Sequence, residues 1–202
     1  MEPDDDFAMQ TTCQRCAAEG GGCCTGVGSG IFVTLHDVLR INKALGIPLD
    51  DVACFEAVSE KHLQGIRETD AFFYEYVKGG QVLQLRRNNG TCKFLKDGDG
   101  CVIFKHRPII CRLFPFSFVV DSNGVRIVIP KETKQKCEEC SILYDNYYRS
   151  KGATYKAMNT DKDKLMVIVQ QHLHDLQEYA KYLPDLEVGL SLAEIAEKYG
   201  YA

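Results

Sequence analysis

Ten cysteines fall within 202 residues, and nine of them stand in tight or regular groups. They read Cys13-Gln-Arg-Cys16, Cys23-Cys24, then Cys92, Cys101 and Cys111 at near-even intervals, then Cys137-Glu-Glu-Cys140. Thiolates grouped this way are metal ligands or disulfide partners, and the compartment decides between the two. Met1 to Gln10 carries four acidic residues and no apolar core, unlike a secretory or transit segment. No apolar run approaches the roughly 20 residues a membrane-spanning helix needs. The expectation is therefore a cytoplasmic chain with reduced thiols, in which the cysteines ligate metal and no membrane is engaged.

A Cys-x-x-Cys turn brings two sulfurs to one side, and two such pairs complete a tetrahedral zinc site. Cys13/Cys16 and Cys137/Cys140 can do that between them. Zinc would need only four ligands, whereas nine thiols are grouped here. Iron–sulfur clusters take four thiolates each, so two would use eight. That surplus weighs toward iron–sulfur, although two zinc sites satisfy the same count. Neighbouring side chains diverge, so Cys23 and Cys24 serve different roles and either can be the ligand. His106 is a candidate replacement for a thiolate. The tenth cysteine, Cys54, reads as a small hydrophobe on a helix with Phe55 and Val58 and is assigned to the core.

Hydrophobic residues make up 45% and charged residues 26%, enough to bury a core of ordinary kind. The net charge of −4 argues against a nucleic-acid binder, which carries a basic footprint. One segment departs from that balance. Arg86, Arg87, Lys93, Lys96, Lys105, Arg107 and Arg112 face only Asp97 and Asp99 across the stretch that holds three cysteines. Cations there lower thiol pKa values and offset the charge of a thiolate cluster; a solvated basic loop is the plainer account.

The elements that must position these thiols follow from the pattern. Gly26 to Gly30 is a turn-rich connector, and Ile31 to Val33 is extended. Thr34 caps a helix bearing Val38, Ile41 and Leu45, ended by Gly46 and Pro48. Asp50 caps a second helix through Val58. Gln81 to Arg86 alternates as a strand, Asn88-Asn-Gly90 and Asp97 to Gly100 are turns, and Asp121 to Gly124 closes a hairpin. Lys134 to Arg149 is helical, with Cys137 and Cys140 one turn apart. Asp161 to Leu183 is a longer helix stopped by Pro184, and Ser191 to Glu194 is a capping box. His172 and His174 lie on different helix faces, a poor metal pair. The organisation expected is a cysteine-cluster domain over residues 1–150 and a helical extension over 151–202 that packs on it. The fold class is α+β, mostly helical, with a small antiparallel sheet and loops around a metal centre.

The chain resembles the YkgJ-type cysteine-cluster family, a zinc- or iron-chelating domain with a Cys-x-x-Cys…Cys-Cys start. The resemblance continues through Cys92-Lys-Phe-Leu, Cys101-Val-Ile-Phe104 and Arg107-Pro-Ile-Ile-Cys-Arg-Leu-Phe-Pro115, and spans about Cys13 to Cys140. The six residues Ala17 to Gly22 between Cys16 and Cys23 are longer than the family pattern. The family is similar to flagellin lysine N-methylases, so the resemblance implies a protein-modifying role as one candidate. Gly26-Val-Gly-Ser-Gly30 precedes its strand instead of following one, the wrong order for a Rossmann methyltransferase.

The sequence thus predicts a metal-binding protein with one or two iron–sulfur clusters of the four-iron type. Its ligands would be drawn from Cys13, Cys16, Cys23, Cys24, Cys92, Cys101, Cys111, Cys137 and Cys140. It would act in electron transfer or protein modification, with a redox partner or a protein substrate. The competing expectations are a zinc-organised interaction module and an S-adenosylmethionine-dependent protein lysine methyltransferase; the sequence does not establish enzymatic activity. Arg107 and Arg112 are expected to donate to cluster sulfurs, and Phe94, Phe104, Phe114, Phe116 and Phe118 to enclose them.

Overall fold

In the computed structural model, which describes Cys24 and residues 30–60, 63–64, 77, 80–96, 100–135 and 137–201, helix α1 spans Leu35–Leu45. Thr34 caps it reciprocally with Asp37, and Gly46 ends it in the left-handed region at φ 65°. Its apolar face buries Leu35, Val38 and Ile41. Leu45, expected on that face, is exposed instead.

The next segment corrects the sequence expectation. Only Leu49–Val52 is helical (α2), with Pro48 and not Asp50 at the cap position. Ala53–Ala57 then forms β1, paired antiparallel with β2, Gln81–Leu85. Cys54 therefore lies on a strand and not on a helix, opposite Gln84. Register with the alternating strand Gln81–Leu85 supplies long-range hydrogen bonds that outweigh a weak local helical pattern. Residues 31–33 run along the other edge of β2, through Val33 N–H to Leu83 O at 3.0 Å and Leu85 N–H to Ile31 O at 2.9 Å. Gly30 approaches this edge at φ 73°, where a Cβ would stand 1.8 Å from Gln84 Oε1.

Three more antiparallel ribbons follow. Arg87–Asn88 (β3) pairs with Thr91–Cys92 (β4) around Asn89 and Gly90, both at positive φ as a tight hairpin requires. Leu95–Lys96 (β5) pairs with Gly100–Cys101 (β6). A 3-10 turn at Phe104–His106 leads into α3, Ile109–Leu113. Ser117–Asp121 (β7) and Gly124–Val128 (β8) make the expected hairpin. The remainder is helical: a 3-10 turn at Lys131–Gln135, then α4 (Glu138–Arg149), α5 (Lys151–Ala157), α6 (Lys162–Glu187) and α7 (Leu192–Lys198). The architecture is α+β and mostly helical. Its strands form separate two-stranded ribbons rather than one sheet.

Two apolar cores result. The first joins α1, β2 and the ribbon residues Cys92, Phe94 and Ile103 to Tyr179, Tyr182 and Leu183 of α6 and to Leu192 and Ile195 of α7. The second joins Ile109 and Leu113 of α3 and Phe116, Ile127 and Ile129 to Leu143, Tyr147, Leu165 and Val169. Helix α6 contributes to both. It also runs through Pro184, where a stop was expected. The ring is exposed in the last turn, and the Ala180 residue whose carbonyl loses its partner is exposed too, so water can satisfy it.

Gly30→Ala combines a left-handed φ with a collision and should cost about 1–3 kcal/mol in urea unfolding. Gln84→Ala in the same chain should recover part of that loss, because it removes the collision and leaves the φ.

Candidate metal centre

Cys24, Cys92 and Cys101 lie at the first core, and the Cys111 thiol is near enough to interact electrostatically with all three. Cys92 and Cys101 sit at the ends of the short ribbons β4 and β6, opposite Arg87 and Leu95. Cys24 is tied to them by the Cys92 N–H, which donates to the Cys24 carbonyl at 2.7 Å. Ile109 and Leu113 occupy the face of α3 turned to the second core, which leaves Cys111 between them on the opposite side. There its thiol feels the charges of Cys24, Cys92 and Cys101 together.

Desolvation dominates the acidity of these groups. Burial pushes the Cys92 thiol up to about 11, against backbone N–H donors from Phe94 and Leu95 that favour its thiolate. Cys101 is raised by burial and eased by the Ile103 N–H and the Arg107 guanidinium. Cys111 is raised well above the ordinary range, first by burial and then by Cys24 and Cys92. Part of Cys111 reaches the surface as a residue. Its thiol is nevertheless directed inward among packed protein atoms, so desolvation leads. Backbone N–H groups already aimed at Cys92 and Cys101 sulfurs form a cradle suited to thiolates once a metal supplies the positive charge.

Arg107 is buried, donates Nε–H to Phe104 O at 2.9 Å and lays its guanidinium 3.6 Å from the Phe104 ring centre. From there its charge lowers the pKa of Cys101 and Cys111. Other cations of the basic stretch serve the ribbons: Arg86 bonds Asp50 O, Arg87 pairs with Glu56, and Lys93 bonds Asp51 O. Arg112, Lys96, Lys105 and His106 are exposed. Phe94 and Phe104 are buried beside the thiol-bearing segments, whereas Phe116 and Phe118 belong to the second core, against Tyr147, Tyr155 and His172. Of the five expected phenylalanines, Phe94 lies in the first core and Phe116 and Phe118 in the second, while Phe104 and the half-buried Phe114 belong to neither.

Cys137 and Cys140 form a second group. Cys137 caps α4, its sulfur accepting the Cys140 N–H at 3.3 Å, and the two sulfurs lie 2.8 Å apart. A helix N-terminus favours a thiolate at that position. Cys13, Cys16 and Cys23 lie outside the described residues. Cys54 is half-buried rather than in a core, its thiol directed at Glu56 Oε1 at 3.5 Å, and burial raises its pKa. His172 is buried against Phe118, with its pKa lowered by burial, while His174 is exposed. Among the described residues, no three Cys, His, Asp or Glu side chains are grouped as the ligands of a single ion would be.

A family model matches residues 12–141, which contain all ten cysteines. It is the CxxCxxCC family, described as "Putative zinc- or iron-chelating domain". The chain belongs to this family. Searches of curated proteins and of solved structures found no match. Membership makes this a metal-binding cysteine-cluster protein, zinc- or iron-chelating, and thiolate donors suit either metal. No described helix is long and apolar enough to cross a membrane.

The sequence reading did not identify Asp37 as part of this neighbourhood. Its carboxylate is buried and accepts the Ile109 N–H at 3.0 Å, at the start of the helix that carries Cys111. The only local signal was a capping pattern.

Because burial raises Cys92, Cys101 and Cys111, each holds its proton at neutral pH in the metal-free chain. Metal loading at pH 7 should therefore release close to one proton per thiol bound, measurable by calorimetry in buffers of different ionisation enthalpy. Retention should weaken as pH falls from 8 to 6, since protons compete for the same sulfurs.

Proposed function

We propose that this chain is an iron–sulfur protein whose first centre is held by Cys24, Cys92, Cys101 and Cys111. The observation that carries the reading is that the Cys111 thiol, on the side of α3 away from the second core, interacts electrostatically with Cys24, Cys92 and Cys101 together. Four like groups gathered in a desolvated place repel one another when ionised, so an electropositive centre must offset them. The surplus of grouped cysteines over the four that one zinc ion needs favours clusters over a single ion. Arg107 offsets part of the anionic charge, and burial of Phe94 and Phe104 limits water near the site.

Cys137 and Cys140, together at the start of α4, are assigned to a second thiolate group with Cys13 and Cys16, which share their Cys-x-x-Cys spacing. The role we infer is electron transfer, or modification of another protein, with a redox partner or protein substrate as counterpart. Bound iron–sulfur would supply one-electron chemistry; the residues described here hold it, tune its charge and exclude water.

A zinc-organised module is the second reading. It is favoured by the backbone N–H bonds to Cys92 and Cys101 on tight ribbons, a cradle equally suited to a structural tetrathiolate.

Iron, acid-labile sulfide and zinc per chain, measured on protein purified without oxygen, separate the two readings. About four or eight irons with matching sulfide support the first; stoichiometric zinc without colour replaces it with the second. Cys111→Ser should lose metal from the first centre while Cys54→Ser keeps the wild-type content. Equal content in both variants would overturn the ligand assignment.

A further inference from the structure

We propose that Asp37 is a positioning residue for the metal centre, acting with Arg40 as a clamp that sets where helix α3 presents Cys111. This rests on the assignment of Cys111 as a ligand.

Helix α3 has five residues, and its N-cap, Pro108, offers no side-chain acceptor for the helix's unpaired N–H groups. Asp37, 72 residues earlier in the chain, supplies it: Oδ1 accepts the Ile109 N–H at 3.0 Å. Arg40 donates to the same oxygen and, at 2.9 Å, to the Arg107 carbonyl. The clamp thus holds two backbone points, one on each side of Pro108, just before Cys111. The other carboxylate oxygen, Oδ2, accepts the Thr34 N–H at 3.2 Å and the Thr34 hydroxyl at 3.3 Å. Four donors therefore satisfy one carboxylate that is 1% exposed.

Burial makes this arrangement consequential. Asp37 is buried while Arg40 is partly exposed, so loss of the arginine would leave a buried carboxylate without its positive partner. The Asp37 charge also reaches His172 and Asp175 on α6, and α6 packs on α3. Asp37 therefore stands where α1, α3 and α6 meet. It touches no described thiol. Its influence passes through the backbone of residues 107–109 to Cys111, and through the position of Arg107, whose charge acts on Cys101 and Cys111.

The test compares Asp37→Ala, Asp37→Asn and the core variant Val38→Ala, on the same helix, in the full chain as purified. Asp37→Ala removes both arms of the clamp. Asp37→Asn keeps an oxygen for Ile109 and loses the charge that holds Arg40. Val38→Ala removes core volume from α1 and leaves the Asp37 and Arg40 hydrogen-bonding groups in place. Metal loss to a chelator should be about 10- to 100-fold faster in Asp37→Ala, the scale of lost supporting contacts at metal sites. Asp37→Asn should be intermediate, with Val38→Ala within about twofold of wild type. The thiolate-to-metal absorption bands should shift in the Asp37 variants alone. Equal loss rates and unshifted bands in Asp37→Asn and Val38→Ala would overturn the proposal, even if Asp37→Ala does not fold.

Amide exchange separates this failure from failure of the metal reading. If wild type holds no metal, or Cys111→Ser holds as much, the ligand assignment has failed. Faster exchange at Ile109–Leu113 in Asp37→Asn than in Val38→Ala would then still show the clamp on α3, and equal exchange would remove it as well.

Discussion

Gathering thiols away from water is the constraint on which this structure turns. A single buried cysteine is an inert hydrophobe, but several facing one another have no favourable ionised state until a cation joins them. At Cys92, Cys101 and Cys111 desolvation is the leading influence, ahead of every nearby charge and hydrogen bond. The protein sets limited countermeasures against it: backbone N–H groups at two sulfurs and one buried arginine. They leave the thiols protonated when free and prepared for metal when it arrives, which is the behaviour that couples ligation to folding.

The two cores explain why the fold takes this form. Short ribbons give Cys92 and Cys101 to the first core, while α3 fastens its apolar face to the second and leaves Cys111 on its other side. Helix α6 borders both, with Leu165 and Val169 in one and Leu176 to Leu183 in the other. The residues after 150 therefore stabilise the platform on which the thiols stand, although none of them is a cysteine. A shift of α3 against α1 would move the Cys111 thiol relative to the other cysteines, and the Asp37 and Arg40 contacts cross that junction.

Much of this was legible locally. Thr34 announced its helix as an N-cap and Ser191 through a capping box, Asn88 to Gly90 announced a turn and Asp121 to Gly124 a hairpin, and Cys137-Glu-Glu-Cys140 was read correctly at a helix start. Each depends on interactions within a few residues. The errors arose where distant partners decide. Cys54 and Phe55 became strand because Gln81–Leu85 offered a ladder, and Phe116 and Phe118 went to the second core because Tyr147, Tyr155 and His172 wait there. Asp37 completes the capping box with Thr34, yet its other oxygen serves a helix 72 residues away. Nothing in residues 34–40 alone could reveal that.

The central claim is that Cys24, Cys92, Cys101 and Cys111 share one centre. Timed alkylation of the metal-loaded chain under a chelator, followed by peptide mass spectrometry, tests it most directly. The account predicts that Cys54 is labelled independently of metal, and that the other four become labelled together as metal leaves. Unmasking of those four at unrelated times, or before the metal departs, would contradict it.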